Sequence, residues 1–109
     1  MSEHVIVIGS GFGGLASALR ARKMGFDVTV VERLEQLGGR AQTFNRDGFV
    51  FDAGPTVITA PFLFDELFEL FDRNIADYVE ILPVPPSYRY EFNHGSHLNY
   101  GCTVQYTLN

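Results

Sequence analysis

Residues 4–32 contain the feature that most constrains the fold, because two apolar β-branched segments flank a glycine-rich turn and a helix-forming segment. The apolar segments HVIVI (4–8) and FDVTVVE (26–32) are typical of strands buried on both faces of a parallel sheet. Between them, GLASALRARKMG predicts a helix that ends at Gly25. We therefore expect an α/β fold that begins with a right-handed parallel β-α-β unit.

The turn between the first strand and the helix, GSGFGG, has the G-x-G-x-x-G spacing of dinucleotide-binding turns. In that motif Gly9 permits a tight turn, Gly11 leaves room for a pyrophosphate, and Gly14 lets the helix pack closely on the strand. The N–H groups at the helix start then face the phosphates. Glu32 closes the second strand, where a carboxylate can accept both hydroxyls of an adenosine ribose and disfavours the 2′-phosphate of NADP. A turn without a ligand is the alternative.

Residues 33–60 lack the helical periodicity that would continue a nicotinamide-binding half. The sequence instead places Gly38 and Gly39 before Arg40, which suits a backbone lying against a ligand whose phosphate or ribose oxygens the guanidinium reaches. A surface turn with a solvated arginine is the alternative. Further on, FVFDAGPTVIT predicts a strand, Phe49 to Phe51, followed by a turn at which Gly54 allows close approach to a flat ligand.

These segments resemble a known family. The run VIVIGSGFGGLASALRARKMGFDVTVVERLEQLGGRAQTF is similar to the N-terminal flavin-binding segment of the flavin amine oxidase superfamily. The stretch GFVFDAGPTVIT is similar to carotenoid desaturases of the bacterial phytoene desaturase type, and the resemblance extends over residues 4–100. It implies a flavoprotein oxidoreductase of carotenoid biosynthesis that uses FAD to dehydrogenate a long apolar polyene.

The resemblance also implies which residues bind the cofactor. Those at the FAD pyrophosphate are Gly9, Gly11 and Gly14, and Gly13 is a further cofactor-binding residue of the same turn. Glu32 binds the ribose; Gly38, Gly39 and Arg40 lie near the phosphates; and Gly54, Pro55 and Thr56 pass near the isoalloxazine ring. Relatives often carry a basic residue two positions after the acidic one, where this chain has Leu34. No catalytic residue is identified. Asp52 is the nearest candidate to the ring, although capping of backbone N–H groups is the role we expect for it.

The expected domains are the N-terminal part of a Rossmann-like FAD-binding domain, residues 1–85, and the start of an antiparallel β substrate-binding domain, residues 86–109. The second would begin with a β-hairpin formed by SYRYEF and HLNYG. Because enzymes of this family are several times longer, we expect an N-terminal fragment that is inactive alone. The segment PFLFDELFELFD (61–72) predicts an amphipathic helix that packs on the rest of the enzyme, with a substrate tunnel or a membrane-docking surface as the alternatives.

Composition excludes several functions. A net charge of -5 without a block of basic residues argues against nucleic acid as a partner. One cysteine, Cys102, allows no internal disulfide, and His94 and His97 form a pair without a third ligand, so no metal is expected. No export signal and no apolar stretch of about 18 residues is present, which predicts a cytoplasmic protein with peripheral contact with the cytoplasmic membrane left open.

Two other functions remain alternatives to the desaturase. One is another FAD-dependent oxidoreductase of the same superfamily, such as an amine oxidase or a carotenoid isomerase. The other is a stand-alone dinucleotide-binding module without chemistry of its own. The polyene substrate, the number of double bonds introduced and the oxidant that regenerates the flavin are not predicted.

Overall fold

A computed structural model describes residues 3–101 of the chain. It divides into two compact units, Met1–Val79 and Glu80–Asn109. The first is a mixed α/β unit and the second contains a β-hairpin. The division into functional domains of residues 1–85 and 86–109 stays a prediction. Cys102 lies outside the described residues.

The first unit opens with the β-α-β arrangement that the sequence predicts. Strand β1 (His4–Ile8) and strand β2 (Asp27–Val31) pair in parallel, with His4 opposite Asp27 and Ile8 opposite Val31. Helix α1 (Phe12–Lys23) connects them and packs against both. This unit confirms the predicted α/β class.

Gly25 ends helix α1, as predicted. Its φ of +98° is one that residues with a Cβ rarely adopt. The Gly25 N–H donates to the carbonyl of Arg22 at 3.0 Å, and the Phe26 N–H donates to that of Ala21 at 3.2 Å. These two bonds form a Schellman closure, which satisfies carbonyls that the helix itself leaves unpaired.

The prediction that both strands are buried on both faces is wrong for the described residues. Successive strand residues point to opposite faces, and α1 covers the face of β1 that carries Val5 and Val7. Ile6 and Ile8 point the other way and are 61% and 87% exposed. Within residues 3–101, Ala18 on α1 is the only buried apolar side chain.

A β-hairpin that was not predicted from the sequence follows β2 in chain order. Strands β3 (Thr43–Arg46) and β4 (Phe49–Asp52) pair in antiparallel fashion around the two-residue turn Asp47-Gly48. Both turn residues have positive φ, 51° and 84°, as a type I′ hairpin turn requires. The rings of Phe44 and Phe51 stack across the pair with centroids 5.3 Å apart. Strand β4 includes the predicted strand Phe49 to Phe51.

Helix α2 (Phe62–Glu69) confirms the predicted amphipathic helix but is shorter than 61–72. Pro61 precedes it, and the Pro61 carbonyl accepts the Phe64 N–H at 2.8 Å. The helix ends early because Asp72 has a φ of +55° and the Arg73 N–H closes back on the carbonyl of Phe68 at 3.1 Å. A short 3₁₀ turn, Ile75–Asp77, follows.

The second unit contains the hairpin that the sequence predicts. Strands β5 (Tyr88–Glu91) and β6 (His97–Tyr100) pair in antiparallel fashion. The loop between them is closed by a bond from the Phe92 N–H to the carbonyl of Ser96 at 2.9 Å. Gly95, with a φ of +88°, supplies the left-handed residue of that loop.

In residues 3–101 no helix is both long enough and apolar enough to cross a membrane.

Candidate functional site

The glycine turn brings the end of β1 against the start of α1. Gly9 has a φ of +99°, and its N–H donates to the carbonyl of Val31 at 2.7 Å, which ties the turn to β2. A Cβ on Gly14 would lie 2.0 Å from the Gly9 carbonyl oxygen and 3.6 Å from Cγ1 of Val7. The conformational reasons predicted for Gly9 and Gly14, a tight turn and close packing of helix on strand, are therefore present in the structure.

The N-terminus of α1 is arranged to receive negative charge. Gly11 precedes the helix and offers no side-chain cap, and the first turn holds no acidic residue. The N–H groups of the first turn, including those of Gly13 and Gly14, have no acceptor within the helix because no turn precedes them. Basic residues are confined to the last turn. The helix dipole and these N–H groups together favour an anion such as a phosphate at this end.

The second glycine pair packs directly on the first glycine motif. The Gly38 N–H donates to the carbonyl of Ser10 at 3.0 Å, and a Cβ on Gly39 would lie 3.1 Å from Cα of Gly11. Both glycines of the pair have positive φ, 103° and 59°. Among protein atoms, the Gly11 backbone lies nearest to Gly39, and contact of this loop with a ligand stays a prediction. The pair therefore fixes one loop against the other.

Gly54 likewise allows close contact between two backbone segments, here its own and that of Arg40. A Cβ on Gly54 would lie 2.0 Å from the Arg40 carbonyl oxygen, so the backbone that approaches Gly54 is that of the second glycine loop. The close approach of Gly54 to a flat ligand stays a prediction. Within residues 3–101 the guanidinium of Arg40 makes no hydrogen bond or ion pair and is exposed, so it is free to reach a ligand.

Asp52 does not cap the backbone, which corrects the expectation for it. The Ala53 N–H, the nearest donor after Asp52, is bonded to the carbonyl of Gln42 at 2.8 Å because the hairpin continues to that residue. Among the described residues the Asp52 carboxylate has no hydrogen-bond donor. It lies exposed at the edge of the groove described below.

Glu32 is held at the end of β2 by three hydrogen bonds. Its Oε2 accepts the N–H of Ser10 at 2.9 Å and the hydroxyl of Ser10 at 2.6 Å, and its Oε1 accepts the N–H of Leu34 at 2.9 Å. The Ser10 hydroxyl and then the backbone N–H groups of Leu34 and Ser10 lower the pKa of Glu32 from its ordinary 4.5 to about 2. Glu32 is therefore an oriented carboxylate that is ionised at neutral pH.

An apolar groove of about 630 Å³ lies beside the start of α1 in the first unit. One wall is formed by α1, from Phe12 to Arg20, and another by α2. The segment 55–60, which includes the predicted cofactor residues Pro55 and Thr56, completes it. Phe12 and Phe64 meet edge to face at the junction of the helices, with ring centroids 5.3 Å apart. The groove can accept an apolar group, and its charged lining residues are Arg20 and Asp52.

The structure brings the predicted cofactor-binding residues into one connected region of the first unit. Gly9 contacts Gly14, Gly11 contacts the second glycine pair, Arg40 contacts Gly54, and Gly13, Pro55 and Thr56 share the groove. Glu32 joins this region through Ser10. The sequence analysis missed Ser10 and the backbone of Leu34, and the one available signal was a hydroxyl residue inside the glycine motif.

No group of three or more His, Cys, Asp or Glu residues in the described part of the chain is placed to hold a metal ion. His94 instead pairs with the hydroxyl of Ser96 at 2.6 Å in the β5–β6 loop. His97 lies opposite Glu91 in the β5–β6 register.

Comparison with known proteins agrees with this geometry. Residues 7–74 match the family described as NAD(P)-binding Rossmann-like domain. The chain is 49% identical over 94 residues to a phytoene desaturase (lycopene-forming) from Pantoea ananas, covering 86% of this chain and 19% of the relative. It is 47% identical over 98 residues to the enzyme of that name from Pseudescherichia vulneris, covering 90% of this chain and 20% of the relative.

A third relative is named for a different activity. The chain is 42% identical over 95 residues to a 4,4'-diapolycopene oxygenase from Methylomonas sp, covering 87% of this chain and 19% of that protein. The chain thus spans about a fifth of the length of the curated relatives that it matches.

The site is one for a dinucleotide cofactor, and its residues fit such a group. The helix N-terminus lacks both a side-chain cap and an acidic residue, so a diphosphate meets neither competition nor repulsion there. The positive φ of Gly9 and the missing Cβ of Gly14 form the tight turn beneath that position. Glu32 supplies the oriented carboxylate on the neighbouring strand end.

Proposed function

Since this chain belongs to the NAD(P)-binding Rossmann-like domain family, we propose that it forms the dinucleotide-binding segment of a carotenoid desaturase of the phytoene type, with FAD as the dinucleotide. The observation that carries this proposal is the near half identity with two phytoene desaturases over most of the chain. The family match over residues 7–74 includes both glycine loops, Glu32 and the segment after β4.

Two features support FAD over a nicotinamide dinucleotide. The ionised Glu32 opposes a 2′-phosphate, which NADP carries and FAD lacks. After β2 the chain forms a glycine loop and the antiparallel β3–β4 hairpin, whereas a nicotinamide-binding half continues with a helix and a third parallel strand. The second feature separates FAD from NAD, which also has no 2′-phosphate.

In this proposal the residues of the chain bind and orient the cofactor. The N–H groups at the start of α1 hold the pyrophosphate, Glu32 holds the adenosine ribose, and the unpaired guanidinium of Arg40 reaches phosphate or ribose oxygens. Pro55 and Thr56 line the groove side of the site. Flavin, when bound, supplies the redox chemistry by accepting the equivalent of a hydride. No residue of the chain is assigned a catalytic role.

The proposed substrate is a long apolar polyene, which favours a location of the protein close to a membrane. Such a molecule resides in lipid, so we propose a cytoplasmic protein that makes peripheral contact with the cytoplasmic membrane. Sedimentation of the complete gene product with polyene-loaded liposomes tests this proposal. Retention in the supernatant under conditions that allow turnover would contradict it.

The function itself is tested by supplying phytoene in liposomes to the complete gene product, purified and reconstituted with FAD. The expected result is a set of products that have lost pairs of hydrogens, detected by mass spectrometry and by the longer-wavelength absorption of an extended polyene. The same protein freed of FAD is the control and should leave phytoene unchanged. Retention of FAD without any dehydrogenated product would count against the desaturase assignment.

An oxygenase acting on a carotenoid is the second candidate, favoured by the 42% identity with the 4,4'-diapolycopene oxygenase. The same assay separates the two, because an oxygenase product gains oxygen mass whereas a desaturase product loses hydrogen. Repetition under ¹⁸O₂ identifies the source of any oxygen that is gained.

A further inference from the structure

Ser10 occupies an unusual position within the glycine motif. Its residue exposure is 0%, which makes it the most completely buried of the described residues that carry polar side chains. Its N–H and its hydroxyl both donate to Oε2 of Glu32, and its carbonyl accepts the N–H of Gly38. One residue therefore links the first glycine loop, the end of β2 and the second glycine loop.

The hydrogen bonds of Glu32 divide its two carboxylate oxygens into different roles. An ionised carboxylate has about four lone-pair positions, two on each oxygen. Both positions on Oε2 are filled by Ser10, whereas Oε1 accepts the Leu34 N–H, and the backbone N–H of Arg33 adds a weaker interaction with the same carboxylate. Oε1 is therefore the carboxylate oxygen with more room for a ligand hydroxyl.

Burial determines how Ser10 can act. A side chain with no exposure cannot contact a ligand in the described geometry, so its hydroxyl acts only through Glu32. The short 2.6 Å distance is typical of a hydroxyl that donates to a charged carboxylate. Replacing Ser10 with alanine removes that bond alone, because the backbone N–H and carbonyl of residue 10 remain.

We propose that Ser10 is a positioning residue for the adenosine ribose of the bound dinucleotide. It anchors Oε2 of Glu32 and leaves Oε1 as the oxygen that meets a ribose hydroxyl. The sequence predicts that the Glu32 carboxylate accepts both ribose hydroxyls, and the proposal assigns the contact with the ribose to Oε1. The inference rests on the proposed function only in naming FAD as the ligand.

The test uses the complete gene product freed of cofactor and titrated with FAD, with flavin fluorescence reporting the bound fraction. Ser10→Ala is expected to raise the Kd for FAD by about three- to tenfold, the effect of losing one hydrogen bond to a charged group that stays partly bonded. Ser10→Thr, which keeps a hydroxyl, is expected to restore at least part of the affinity. Ser17→Ala is the matched control, since the Ser17 hydroxyl donates to the Gly13 carbonyl and does not touch Glu32.

A second measurement separates positioning from a general structural role. If Ser10 acts through Glu32, Ser10→Ala should have no further effect on the Kd for FAD in a Glu32→Ala background. The pH at which affinity falls on acidification should also rise in Ser10→Ala, because the lost hydroxyl bond favoured the ionised carboxylate. Ser10→Cys, similar in size but a weak donor, is expected to behave like the alanine variant and takes its place if that variant does not fold.

The possible outcomes are distinct. Wild-type affinity and an unchanged pH profile in Ser10→Ala would overturn the inference while leaving the proposed function intact. A full additional loss from Ser10→Ala in the Glu32→Ala background would also overturn it, because Ser10 would then act independently of Glu32. Failure of the wild-type protein to bind FAD would overturn the proposed function, and the assignment of Ser10 to the FAD ribose would fail with it.

Discussion

Several positions of the candidate site require glycine because the backbone of another segment lies close to them. Gly14, Gly39 and Gly54 each lie where a Cβ would meet the backbone of another loop, at 2.0, 3.1 and 2.0 Å. These distances are shorter than ordinary van der Waals contact, so the glycines are required by the protein itself before any ligand binds. Ser10 lies in the same closely packed region, where its hydroxyl donates to Oε2 of Glu32.

The first residue-level prediction compares neighbouring glycines of α1. Gly14→Ala is expected to lower the free energy of unfolding by about 1–3 kcal/mol, because the new methyl group overlaps the Gly9 carbonyl oxygen. Gly13→Ala is the control, since its Cβ would have no neighbour within 4 Å, and alanine favours the helix by up to about 1 kcal/mol. Urea denaturation of the complete gene product, followed by circular dichroism, measures the free energy of unfolding of both variants. Equal stabilities for the two variants would contradict the account of the turn.

A second prediction concerns acid stability. The pKa of Glu32 is about 2 in the folded chain and near 4.5 when unfolded, so its ionised form stabilises the fold. That contribution is fully present above pH 4.5 and is lost as the pH falls from about 4.5 to 2. Glu32→Gln should therefore reduce the loss of stability over this interval, relative to wild type.

Denaturation at a series of pH values measures this difference. Glu35→Gln is the control, because Glu35 is exposed and makes no hydrogen bond among the described residues. It should leave the acid-dependent loss of stability close to that of wild type. Identical pH dependence in wild type and Glu32→Gln would show that the three hydrogen bonds to Glu32 do not favour its ionised form.

At the scale of the elements, two contacts join helices α1 and α2. Phe12 and Phe64 meet edge to face, and Nη2 of Arg20 lies 2.6 Å from Oε1 of Glu66. The charged side chains are about half exposed, so water and salt screen their attraction. We expect the aromatic contact to hold the helices together more strongly than the ion pair.

Double-mutant cycles to alanine test this comparison. The Phe12/Phe64 pair is expected to show a coupling energy of about 0.5–1.5 kcal/mol that salt does not change. The Arg20/Glu66 pair should show at most about 1 kcal/mol, falling further in 0.5 M NaCl. A larger coupling for the ion pair at high salt would contradict the prediction.

The sequence predicts well those elements that are determined by residues close together in the chain. Strands β1 and β2, helix α1 and the β5–β6 hairpin follow from local apolar patterns, and Gly25 is a local stop signal. The β3–β4 hairpin was missed because β3 contains a single apolar residue, Phe44, so its pattern is weak and only the Asp47-Gly48 turn signals it. The early end of α2 involves Asp72 at positive φ, a conformation in which Asp is enriched among non-glycine residues but which the apolar periodicity of residues 61–72 does not signal.

Contacts between residues that are far apart in the chain were not predicted from the sequence. The bonds between Ser10 and Glu32 connect positions 22 residues apart, and the packing of Gly39 on Gly11 depends on two separate loops. Pattern and spacing therefore predict the candidate residues of the site, whereas the structure shows which protein atoms they contact. The burial of Ile6 and Ile8 on β1 was mispredicted because apolar residues indicate that a face can be buried but not whether other atoms cover it.

For the molecule as a whole, the main physical feature is its exposed apolar surface. Ile8 is 87% exposed, Phe49 68% and Phe62 65%. Exposed apolar side chains, where they form a contiguous patch, mark sites of interaction or of aggregation. We therefore predict that the 109-residue chain by itself is poorly soluble and binds FAD weakly or not at all, as measured by light scattering and by titration with FAD. Tight stoichiometric binding by this chain would favour a stand-alone dinucleotide module instead.

The central claim, that these residues form an FAD site in which Glu32 contacts the ribose, is tested most directly by titrating the cofactor-free complete gene product with FAD and, separately, with NADPH. We predict saturable, stoichiometric binding of FAD, a Kd raised at least about tenfold by Glu32→Ala, and no comparable binding of NADPH. Absence of FAD binding, or NADPH binding as tight as that of FAD, would contradict the claim.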